Sequence, residues 1–165
     1  LYWAWYARAI AMRTAPTILR ALPMFAIALP FLGMRLPPTG WSFAAFVVSI
    51  GGAVLLTSAV TSLANISLFW TLSGQGVSNM LQVVVMFLAG MYVPLPLLPD
   101  WAQGVLTVLP FRGIMDVPFR LWSGDIPPAE APLLVVQQIA WTAAFVAVGR
   151  WVLGRGTRRL VVQGG

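Results

Sequence analysis

Fourteen side chains in this 165-residue chain carry a charge, and only four of them are acids: Asp100, Asp116, Asp125 and Glu130. Carboxylates in a cluster could serve acid–base catalysis or hold a hard cation. These stand 16, 9 and 5 residues apart, without the short ligand spacing of an oxygen-ligand cation site. There is no histidine or cysteine to complete a metal set, and neither histidine nor lysine to activate a serine nucleophile. The acids read as helix caps and solvated loop charges. A phosphate-binding P-loop needs a lysine, so the chain holds no standard ATPase, and any ATP-driven activity requires a separate engine. Within the apolar stretches the polar residues are serines, threonines, Asn65, Gln82, Gln137 and Gln138. Asn65, Gln82 and Gln137 are candidates to line a path through a membrane. Hydrogen bonding between helices is the competing and favoured role.

The elements that must position these residues follow from one gap. Between Arg35 and Asp100 lie 64 residues without a charge. A bilayer core of about 30 Å takes about 20 apolar residues as a helix, so the gap holds two passes and a turn. Hydrophobic residues make up 59% of the chain and charged ones 8%, against roughly 25% charged in soluble domains. The fold expected is all-α: a polytopic transmembrane bundle forming one domain over residues 1–165, with short external re-entrant or interfacial helices. Passes are expected at about 15–33, 41–71, 79–93 and 132–153, with an external helical loop at 94–131. The net charge of +6 comes from ten thinly spread arginines, which mark topology rather than a nucleic-acid surface. Arginine excess at both ends predicts visible N- and C-termini on the cytoplasmic side of a cell membrane, and the acidic loop outside.

Three local patterns add detail. Pro16, Pro23 and Pro30 recur every seven residues and should bend the first pass, with Arg20 reaching to the headgroups from near one end. Ala45, Ser49, Ala53, Thr57 and Thr61 repeat every four residues, a stripe of small side chains suited to close helix packing within the subunit or across a dimer. In the external loop, Pro99-Asp100-Trp101 opens a short helix whose Trp101, Val105, Val108 and Leu109 share a side and which Pro110 ends. A second short helix is expected over Gly113–Trp122, interrupted by Pro118, and Ser123-Gly124-Asp125 makes a turn.

The run Gly90-Met91-Tyr92-Val93-Pro94-Leu95-Pro96-Leu97-Leu98-Pro99-Asp100-Trp101, then Leu109-Pro110-Phe111-Arg112 and Val117-Pro118-Phe119, resembles the ABC-2-type exporter permeases. The Gly124-Asp125 turn, Leu68-Phe69-Trp70-Thr71 and the arginine-rich tail are also similar to the six-pass branch of that family. The resemblance covers nearly the whole chain and corresponds to the last four passes of six, so a fragment lacking the first two passes is expected. It implies the membrane subunit of an ATP-driven bacterial exporter, in the inner membrane. Its partners would be a second permease subunit, homo- or heterodimeric, and cytoplasmic ATPase subunits that carry ATP-Mg, while the chain itself binds no cofactor. It also implies an external re-entrant motif built on Pro94, Pro99, Asp100, Trp101, Pro110, Phe111 and Pro118. Force would enter through cytoplasmic connectors, here Tyr2, Trp3, Tyr6, Arg8, Arg13, Ser73, Gly74 and Gln75. A non-transporting scaffold or a passive channel subunit is the alternative reading.

Overall fold

The computed structural model describes residues 2–67 and 74–160. Among them the chain forms six α-helices and no strand: α1 Tyr2–Phe31, α2 Gly40–Ser67, α3 Gly74–Leu88, α4 Asp100–Val108, α5 Asp116–Ser123 and α6 Ala131–Leu160. Three of them, α1, α2 and α6, are long and apolar enough to cross a bilayer. The chain is thus an all-α polytopic bundle. The motif Leu68–Thr71, Ser73 and the tail 161–165 lie outside the described residues.

Helix α2 is the centre. It has no charge and no proline, and it meets α1, α3, α5, α6 and a 3-10 turn at Pro110–Ile114. Ser49, Leu56, Ser58 and Ala59 along it are fully buried. Two apolar clusters close the bundle around it. At the end where residues 94–131 sit (the loop end), Val117, Leu121, Ile126, Ala131 and Leu134 pack together with Ala45. Toward the other end, Tyr2, Tyr6, Ala59 and Ile66 pack with Phe145, Val146 and Val152.

The first pass differs from its expected bounds. No break separates residues 2–13 from 15–33; α1 is one helix through Pro16 and Pro23. Tyr6 Oη donates to the Leu55 carbonyl at 2.9 Å, and the Arg13 guanidinium donates to Thr61 Oγ1. Residues 2–13 therefore lie across the flank of α2 rather than beyond its end. Arg20 is mid-helix, not near an end. The physical reason is that Arg13 gains a hydroxyl partner and the tyrosines bury their rings, so the segment has no need to leave the bundle.

The third pass also differs. Helix α3 starts at Gly74, so the polar run expected as a turn is in part helical. It stops at Leu88 because Gly90, at φ +82, closes a Schellman motif: Gly90 N–H bonds the Phe87 carbonyl and Met91 N–H the Met86 carbonyl, each at 3.1 Å. The stop comes before Pro94, leaving a described helix of 15 residues that is shorter than a full pass.

In the loop, Pro99 is the N-cap residue of α4, which ends before Leu109-Pro110. Trp101, Val105 and Val108 face outward, and Leu106 is the buried residue. With lipid as solvent an outward apolar face carries no penalty. Pro118 does not interrupt α5; it sits in the first turn, where a missing N–H costs nothing. Trp122 ties this end together. Its Nε1 donates to the Arg35 carbonyl at 3.1 Å, and its ring meets Phe25, Phe43 and Phe46 at 4.9–6.2 Å.

Ala53, 5% exposed, faces the packed core. Ala53→Leu forces extra carbons into closed space and should cost about 1–3 kcal/mol. Ala44→Leu, on the exposed side of the same helix, should change little. Thermal unfolding of the two purified variants checks this; equal midpoints would contradict the packing.

Candidate functional site

Between α1, α2, α3 and the loop end lies a groove of about 620 Å³. One wall is α1, where Arg13, Thr17 and Arg20 stand at i, i+4 and i+7 and so share a helix face. A second wall is α2, with Thr57, Val60 and Thr61. The third is α3, with Leu81, Gln82, Val85 and Met86, and the loop end is closed by Met91, Ile114 and Met115. Thr17 and Thr57 turn their hydroxyls onto their own helices, to the Arg13 and Ala53 carbonyls, each at 2.7 Å. The groove is thus cationic on one side and apolar on the other. Among the described residues, ion pairs form only around Asp116, to Arg112 at 3.1 Å and Arg120 at 3.8 Å. Neither Arg13 nor Arg20 has a carboxylate.

Beside the groove, one amide fastens three elements. Gln138 of α6 is 2% exposed, and its Nε2 donates to the Gly113 carbonyl at 2.7 Å and the Ser49 carbonyl at 3.1 Å, with Ser49 Oγ also at 3.1 Å. Two carbonyls in reach settle which end of the amide is nitrogen. Its Oε1 has no partner and lies against Gly52, where any Cβ would collide with it. Gly113 is needed for the same reason, since a Cβ there would come within 2.9 Å of Gln138 Cγ. Gln138 is seven residues into α6 and Ser49 nine into α2, so the Pro110–Ile114 turn reaches about 10–13 Å below the helix ends. It is a wedge between α2 and α6.

The sequence-derived candidates divide accordingly. Of Asn65, Gln82 and Gln137, only Gln82 lines the groove. Asn65 is exposed elsewhere on α2. Gln137 donates to the Thr107 carbonyl at 2.7 Å, and Trp141 Nε1 to the Val108 carbonyl at 3.0 Å. These carbonyls end α4 and have no helical donor. In the motif expected as external, Pro110 and Pro118 are buried and Phe111 half-buried, while Pro94, Pro99, Asp100 and Trp101 lie exposed. Of the connector residues, Tyr2 and Tyr6 are buried and Arg13 faces the groove, whereas Trp3 and Arg8 are exposed. Arg150 lies over the Trp3 ring at 5.5 Å. Gly74 and Gln75 open α3. Along the small-residue stripe, Ala45, Ser49 and Ala53 serve the packed interior, and Thr57 and Thr61 reach the groove. A four-residue step advances about 40° around a helix, so five positions sweep about 160° and cannot face one partner.

Sequence reasoning assigned Arg13 to a connector and Arg20 to the headgroups, and so missed the groove; the i, i+4, i+7 spacing with Thr17 was the available signal. Among the described residues no three acids gather as a metal set would require. The family described as ABC-2 family transporter protein matches residues 4–164. No curated protein and no solved structure matches the chain.

Gln138→Leu removes the donor from the Gly113 and Ser49 carbonyls while keeping volume. The expected loss is about 0.6–1.7 kcal/mol, the range of hydrogen bonds between membrane helices. Amides 111–115 should exchange hydrogen faster in that variant by mass spectrometry. Unchanged exchange would mean the wedge is held otherwise.

Proposed function

Because this chain belongs to the ABC-2 transporter family, we propose that it is the permease subunit of an ATP-driven exporter. In this reading it forms the translocation path and takes its driving force from a separate cytoplasmic ATPase. The observation that carries the reading is the family match across 4–164 on a chain without a lysine. ATP-Mg belongs to the partner ATPase, and a second permease subunit completes a dimer. The setting is a bacterial inner membrane, with both visible ends cytoplasmic and the 94–131 loop outside, on the argument of arginine asymmetry.

The groove supports the path, with Gln82 among its walls. Force would enter at Trp3 and Arg8, at Gly74 and Gln75 at the start of α3, and at Ser73. Tyr2 packs against Gly149 of α6, Tyr6 bonds α2, and Arg13 bonds Thr61. A push on the start of α1 is therefore transmitted into the bundle rather than absorbed by a loose segment.

Two measurements test the reading in the full protein with its ATPase. Single cysteines replacing Arg8 and Gln75 should crosslink to the ATPase, with yields that change on adding nucleotide. Cysteines at Asp125 and Arg158 should be labelled from outside at the former only. No crosslink from either position in a transport-competent complex would refute the coupling assignment, and labelling at Arg158 would refute the orientation.

A further inference from the structure

We propose that the groove between α1, α2 and α3 binds an anionic amphiphile, a molecule with a phosphate or carboxylate head and a hydrocarbon tail. This deepens the permease reading and rests on it for its physiological role, although binding itself is measurable separately. Arg13 and Arg20 stand seven residues apart on one face of α1, about 10 Å along the axis. All four acids of the chain lie between residues 100 and 130, and the ion pairs among the described residues belong to Asp116. Arg13, half-buried, and Arg20, exposed at the groove's edge, thus stand on an apolar bundle without a counter-charge, an arrangement that is costly in a bilayer unless an anion arrives.

Arg13 commits a donor to Thr61 Oγ1. A guanidinium offers five donors in a planar fork that fits carboxylate and phosphate oxygens in pairs. Opposite stand Leu81, Val85, Met86 and Met115. Their surface suits an alkyl chain, and unbranched thioethers adapt to tails of different shape. A cationic amphiphile would be repelled, and a bare tail would leave both arginines unpaired.

The test uses the full protein with its ATPase in nanodiscs of phosphatidylcholine, titrated with NBD-labelled dodecyl phosphate. Binding should be saturable. Arg13→Gln and Arg20→Gln should each weaken it at least 5-fold and the pair at least 30-fold, while Arg→Lys, which keeps the charge but not the fork, should fall between wild type and the Gln variants. Arg35→Gln, exposed in the segment before α2, should leave it unchanged. Met86→Trp should block the tail wall with both arginines intact. Dodecyltrimethylammonium should not compete. Binding by the double variant within 2-fold of wild type, or equal competition by the cation, overturns the proposal. Repeating the titration with phosphatidylglycerol in the disc separates the sources. Competition identifies a resident bilayer lipid as occupant, and its absence identifies a free single-chain amphiphile; either outcome keeps the anionic chemistry. Lost ATPase association with intact binding counts against the permease reading alone. Intact coupling without saturable binding counts against this site alone.

Discussion

The junction of α2, α6 and the Pro110–Ile114 turn depends on where one carboxamide can find oxygen. Gln138 is sealed from solvent and lipid, and its two N–H bonds have to be spent inside the bundle. They reach the Ser49 carbonyl of α2 and the Gly113 carbonyl of the wedge. The same amide demands glycine at positions 52 and 113, because a side chain at either would occupy its space. That one group thus joins α2, α6 and the wedge, whose end closes the groove through Ile114 and Met115.

The rest of the architecture obeys the rule that lipid rewards hydrogen bonds and close contact rather than apolar burial. Exposed Leu, Ile, Met and Phe cover the outer side of α1 between Ile18 and Phe31. Polar side chains are used sparingly, mostly to satisfy carbonyls that a helix end or a proline leaves open. Gln137 and Trp141 cap the last carbonyls of α4 in this way, and Gln103 bonds the carbonyls of Pro96 and Leu98 before its start. The chain thus stabilises irregular backbone at depth by covering it with amides and indoles, which is the condition under which such backbone is tolerated.

Much of this was legible in the sequence. The absence of charge between Arg35 and Asp100 gave a membrane bundle, and the prolines at 99 and 110 gave the bounds of the short helix α4. What could not be read was direction. A helix face is visible as a spacing, but which neighbour it meets depends on the tertiary arrangement, so Thr57 and Thr61 were grouped with Ala45 although they face different partners. Charge was misleading at Arg13, since an arginine normally marks the membrane surface and here finds a hydroxyl on the next helix. Gln138 was indistinguishable from Gln137 by type or position, and the structure alone separates the core fastener from the cap. The carbon-free sites at Gly52 and Gly113 lie 61 positions apart in the chain; nothing local connects them.

Ser49 and its amide partner are 89 residues apart, and that distance sets an order of biogenesis. At a synthesis speed of about 5–20 residues per second, α2 waits roughly 4–18 s in the membrane before position 138 is even made. It can wait because it is uncharged, and because a serine or threonine hydroxyl can bond back into its own helix meanwhile, as Thr57 does in the finished bundle. The wedge meets α2 as soon as it is made, but its Gly113 carbonyl gains the Gln138 donor only when α6 follows, so α6 is the helix that fastens a turn already laid against α2.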